Sequence, residues 1–183
     1  MKGFEVHSSL LDQGVSAIMA GARLIEWANQ TNAQSAAAEP SPIAAMFEPS
    51  YTTLHIGTIE GGTANNITAK DCRFSVDMRV LPDEDPDRWR EIFMKQVARV
   101  EADMKAIRPE TSIQVETSFW VPGLRPEEDG EAETVVRQIT GDNAITTGDR
   151  DGTTGCRGAL APMEINTATR STSTADHEKP AAL

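Results

Sequence analysis

Aromatic side chains are scarce in this chain. Its 183 residues include three Trp, one Tyr and five Phe, and none follows Trp120. Gly148 to Gly158 is almost entirely Gly, Thr, Asp and Arg, and Thr167 to Thr174 is Thr, Ser, Ala and Arg. Segments of this kind bury too little apolar area to offset their ordering entropy, so the chain beyond about residue 145 is expected to be largely irregular. Cysteine is nearly absent: Cys72 falls on an apolar strand face and Cys156 in the polar tail. That usage suggests a reducing, cytoplasmic compartment rather than a disulfide framework. Basic residues are outnumbered, 17 against 28 acidic, for a formal charge of −11, which argues against nucleic acid as a partner. No apolar run approaches the ~18 residues needed to span a bilayer, and the first residues lack the apolar stretch of a signal peptide. No CxxC, HExxH or P-loop spacing occurs.

The pattern that is present centres on Tyr51 to Val80. Leu54 and Ile56 alternate with Thr53 and His55, and Cys72, Phe74, Val76, Met78 and Val80 alternate with Arg73, Ser75, Asp77 and Arg79. A period of two places one face of each strand in a core. Gly61-Gly62 supplies the backbone freedom at which the first strand ends. The polar face of the second strand reads most simply as a solvated surface carrying a cross-strand ion pair.

Around this pair, Lys2 to Ser9 reads as a short strand, with Phe4 and Val6 inward and Gly3, Glu5 and His7 outward. Val15 to Ala28 reads as a helix with Val15, Ile18, Ala22 and Ile25 at helical spacing, widened by Met19, Leu24 and Trp27 and ended by Asn29 to Asn32. Gly21 is either a weak point in it or a place of close approach to a sheet. Ala33 to Ser50, rich in Ala, Pro and Ser, reads as a connecting loop. Asp85-Pro86-Asp87 is a helix start, followed by Trp89, Phe93, Val97, Val100, Met104 and Ile107 on one face, and Pro109 stops the helix. Ser112 to Phe119 alternates again as a strand, and Pro126 to Thr140 reads as a further helix. The order strand, helix, strand, strand, helix, strand predicts an α+β fold. It is expected to be a ferredoxin-like βαββαβ sandwich, a four-stranded antiparallel sheet with two helices on one face, followed by an irregular C-terminal tail.

The stretch G-G-T-A-N-N-I-T-A-K-D-C-R-F-S-V-D-M-R, Gly61 to Arg79, resembles the G-G-x-A-x-N-[VI]-I-P…D-x-R phrase of the lid, or dimerisation, domain of the zinc-dependent M20 peptidase and amidohydrolase family. Its wording is nearest to the acetylornithine deacetylase group. Thr68-Ala69 stands where many relatives have Ile-Pro. K-G-F-E-V-H-S-S, at the start of the chain, resembles the family's G-x-x-x-H-[SAP] strand and places His7 at the histidine. The resemblance runs from about Lys2 to about Ala144 and implies a lid domain over residues 1–122, with a remnant of a catalytic domain over 123–183.

It further implies that two lids associate as a homodimer. His7 would then be catalytic, reaching into the partner's active site to stabilise an oxyanion, while Asn66 and Arg79 would bind substrate. In the complete enzyme, zinc (or cobalt) would assist hydrolysis of a small N-acyl amino acid such as N-acetylornithine, in arginine biosynthesis. The family's metal ligands lie in flanking segments this chain does not contain. Where relatives read A-H-x-P-D-E-Y, Ile165 to Lys179 has Thr169 in the histidine position and Ser-Thr-Ser for the acidic run, as a reading-frame disturbance would leave. No metal site is therefore expected in this chain, His177 alone being no site, and the fragment is expected to be inactive by itself. The alternative is an autonomous ferredoxin-like module, either binding a small amino acid through Arg79 and Asn66 or serving only to dimerise.

Overall fold

The computed structural model describes residues 1–117, 120–121, 130–141 and 158–166. They form an α+β arrangement in which helices pack on an antiparallel sheet. The elements are α1 (Ala17–Ala37), β1 (Thr53–Gly61), β2 (Cys72–Val80), α2 (Pro86–Ile107), β3 (Gln114–Thr117), β4 (Trp120–Val121), α3 (Glu131–Thr140) and β5 (Gly158–Asn166).

The β2 strand alternates as its sequence requires. Cys72, Phe74, Val76, Met78 and Val80 are buried, and the residues between them are exposed or half-buried. The buried row faces both long helices: Ala17, Ala20, Leu24 and Ala28 of α1, and Phe93, Val97, Val100 and Met104 of α2, share one core with it. Trp27 and Phe93 tilt together at 5.8 Å between ring centroids across the helix pair. The start of α2 is as read from sequence, with the Asp85 carboxylate accepting the Asp87 N–H and Pro86 in the first turn.

The buried stripe of α1 differs from the one expected. It runs through the small residues Ala17, Ala20, Gly21, Leu24 and Ala28, while Ile18 and Met19 are exposed. Small residues let the helix lie close on the sheet: a Cβ at Gly21 would sit 3.2 Å from the Phe74 ring and 3.3 Å from the Cys72 sulfur. Val15 precedes the helix, which is capped by Ser16 through the Met19 N–H. Nor does Asn29 to Asn32 end it. The Asn32 side chain donates to the Leu54 carbonyl (2.7 Å) and accepts the Leu54 N–H (2.9 Å), tying α1 to β1, so this polar residue serves inside the helix rather than as its stop.

The larger correction concerns the sheet. Its order is β1-β2-β5-β3, with β4 also paired to β5, and the ladders are antiparallel. Lys2 to Ser9, expected as a strand, contributes only isolated bridges at Lys2, Phe4 and His7. Its backbone partners are scattered over Ser112, Lys70, Val15, Asn66 and Thr68, and no single neighbour runs alongside it. The four-stranded βαββαβ order is therefore not the one observed, and the position between β2 and β3 belongs to β5.

An irregular tail was expected there. Pro162 argues against a central strand because it lacks the N–H that a ladder needs. A bulge accommodates it. Val76 pairs with Met163 and Met78 with Leu160, so Ala161 and Pro162 stand opposite Asp77 alone. On the other side the β3 ladder ends at Thr117–Met163 and the β4 ladder begins at Trp120–Leu160. The proline thus falls in a gap of both ladders. Beyond the Phe74–Ile165 pair, the same edge of β2 is taken by Met1, whose amine donates to the Cys72 carbonyl at 2.8 Å while Cys72 N–H donates to the Met1 carbonyl. The remaining tail and residues 126–129, expected to begin the last helix, lie outside the described residues, while α3 occupies the later part of that expected helix.

Candidate functional site

The three candidate residues are His7, Asn66 and Arg79. The structure brings the first two together and leaves the third apart. His7 bridges Ile67, and the Ser8 N–H donates to the Asn66 carbonyl at 2.8 Å. The loop is held to this segment by Thr68, whose hydroxyl accepts the Val6 N–H and donates to the Phe4 carbonyl, both at 2.9 Å. Thr68 is only 5% exposed. Sequence reading registered it as a departure from the usual Ile-Pro and assigned it no task. The signal was a hydrogen-bonding side chain in an otherwise apolar position.

His7 is exposed, as its strand-like alternation with Phe4 and Val6 suggested. It caps the 3-10 turn Ser8–Gln13, with Nδ1 accepting the Ser9 N–H at 3.2 Å and lying 2.8 Å from the Ser9 hydroxyl. With Nδ1 engaged in the cap, Nε2 is the ring nitrogen available to a further partner. Glu5, bonded to Thr63, and Asn66 are exposed nearby. The corner is polar and exposed.

Arg79 lies at the other end of β2. Seven residue steps along the strand separate it from Cys72, a distance of about 23 Å, and His7 and Asn66 lie beyond Cys72. Its guanidinium Nε donates to Asp77 at 2.9 Å, a pairing along the strand and not across it. Within one chain, Asn66 and Arg79 do not share a site. The shallow groove lined by Arg23, Glu26, Trp27, Gln96 and Arg99 lies elsewhere, between α1 and α2.

A family model described as the peptidase dimerisation domain matches residues 1–105. The chain belongs to this family. The dimerisation domain thus covers α1, β1, β2 and nearly all of α2.

Among curated proteins, the acetylornithine deacetylase of Myxococcus xanthus is 26% identical over 143 residues, covering 74% of this chain and 37% of that protein. The chain therefore spans little more than a third of that relative's length. Among solved structures, aminopeptidase PepT from Bacillus cereus is similar at 23% identity and a TM-score of 0.44, over 76% of this chain and 32% of that one. A tripeptidase from Staphylococcus aureus gives 23% identity and a TM-score of 0.48, over 82% and 37%.

Among the described residues no group of three or more His, Cys, Asp or Glu could hold an ion. No helix among them is long and apolar enough to cross a membrane.

Proposed function

We propose that this dimerisation domain belongs to an amide hydrolase of the acetylornithine deacetylase type, and that it pairs two chains so that each lends His7 to the other's substrate. The observation that carries this reading is the state of the His7 ring. Its Nδ1 is engaged by the Ser9 N–H, and the residue stands exposed with Nε2 available to a partner. An Nε2–H there can stabilise the negative charge that develops on an amide oxygen under attack, provided a partner surface brings the amide to it. Thr68 is the positioning residue: it fixes the backbone of residues 4–6 and so the direction of His7.

The substrate class that fits is a small N-acyl amino acid, N-acetylornithine by likeness to the curated relative, in a cytoplasmic biosynthetic setting. Asn66 would meet the substrate beside His7. The guanidinium of Arg79 suits a carboxylate, and its place at the far end of β2 assigns it to a different part of the assembly from Asn66. The described residues supply no metal ligands, so the metal centre of such an enzyme would lie outside them, and by itself this chain is a donor and a dimer contact.

A mixed-dimer experiment in a complete homologous deacetylase tests the reading. One subunit lacks the histidine equivalent to His7, and the other keeps it but has a disabled metal site. Hybrid dimers should regain activity at one of their two sites. Hybrids that assemble and stay inactive would remove the trans role.

A further inference from the structure

The central strand of the sheet is the one most distant in sequence from its neighbours. β5 lies between β2 and β3, antiparallel to both, and its principal contacts are with β2, β3 and β4. Residues 142–157 join it to α3, a length of chain that can span up to about 55 Å. Its ladders are interrupted at one level on both sides, at Ala161 and Pro162. It is therefore held as two short ladders on each flank: Gly158–Leu160 against the end of β2 and β4, and Met163–Asn166 against the start of β2 and β3. The strand ends where Met1 takes over the edge of β2.

We infer that β2 and β3 form a strand-accepting slot, and that β5 of one copy of the chain exchanges into the slot of a second copy. Three features favour a second copy as the occupant. Exchange recreates every ladder bond of the closed chain, so it carries little enthalpic penalty. The joining segment is long enough to reach a neighbouring sheet. An emptied slot would expose the nine-residue edge of β2 and the shorter edges of β3 and β4, which recruit whatever matching strand is at hand, and the matching sequence is supplied by each copy. This exchange is distinct from side-by-side association of two lids, because it interleaves the chains within one sheet.

The test uses the full chain in a Cys72→Ala/Cys156→Ser background, with single cysteines placed at register partners. Ser75 is paired with Glu164, and Glu116 with Glu164. A Glu164→Cys chain is refolded together with a Ser75→Cys chain, a Glu116→Cys chain or, as control, a Lys95→Cys chain, Lys95 being exposed on α2, and then oxidised. Exchange predicts disulfide-linked heterodimers for the first two mixtures, at about 10²-fold above the control because the paired strands hold the thiols at high effective concentration. The yield should rise with protein concentration during refolding. Two slot walls are probed independently, so one poorly folding variant leaves the other to decide.

Heterodimer yields no greater than the Lys95 control would overturn the proposal. So would a Ser75→Cys/Glu164→Cys double variant that closes only within one chain at every concentration. A chain that dimerises without either cross-link would overturn it too, assigning the dimer to another surface.

Discussion

His7, Thr68 and Cys72 divide the work at the residue scale. His7 is exposed and its side chain bonds within its own turn, so His7→Ala should change stability by no more than about 0.5 kcal/mol. The equivalent change in a complete deacetylase should lower kcat by about 10²–10³-fold, as for removal of an oxyanion donor. Denaturant titration and steady-state kinetics separate the two effects, and a large stability loss would return His7 to a structural role. Thr68→Val keeps the shape and removes the hydroxyl that serves both Val6 and Phe4. Its expected cost is about 1–3 kcal/mol, since two backbone groups lose their partner; an unchanged denaturation midpoint would show that Thr68 does not hold the segment.

A pH effect arises where Met1 meets Cys72. Burial lowers the Met1 amine below its ordinary 8.0 and raises the Cys72 thiol above its ordinary 9.0. The unfolded chain then binds more protons at the amine below pH 8, so that contribution to stability grows as pH rises toward 8.0. The folded chain retains the thiol proton longer, so stability is lost as pH climbs beyond 9.0. Chemical denaturation should show its highest midpoint between these limits, and a midpoint still rising at pH 10 would contradict the burial of Cys72.

At the scale of elements, α1 was only partly legible from sequence. Its apolar stripe was read from the larger side chains, yet Ile18 and Met19 are exposed and the sheet-facing row is mostly alanine and glycine. Close approach selects small residues, and periodicity alone does not say which of two neighbouring stripes the sheet will take. Asn32 was missed for a related reason: asparagine usually ends helices, and only the nearby Leu54 backbone makes it useful inside one. Asn32→Ala should therefore cost about 1–3 kcal/mol through the two backbone groups left unpaired, while the exposed Asn29→Ala should be close to neutral. Equal effects would refute the bridge. The β2 strand and the start of α2 were read correctly because each depends on local signals, strict alternation in the one and an Asp-Pro cap in the other.

On the scale of the whole molecule, α1 and α2 pack on the buried face of β2, and His7 stands exposed beside Asn66. Self-association should be visible by sedimentation velocity at high micromolar concentration, and a monomer under those conditions would count against the proposed trans arrangement. The purified chain should not hydrolyse N-acetylornithine above background with zinc or cobalt added, and turnover abolished by a chelator would place a metal site in this chain after all.

The sequence by itself determined the α+β class, the buried face of β2, the limits of α2 and the exposure of His7. These follow from periodicity and capping, which act over a few residues. Tertiary structure alone decided that Thr68 anchors the His7 segment, that Asn66 and Arg79 stand at opposite ends of β2, and that Gly158–Asn166 takes the centre of the sheet. Each of these rests on pairing between residues far apart in the chain. A strand containing Pro162 becomes tolerable only when both neighbours break their ladders at the same level, a condition set by register and not by composition.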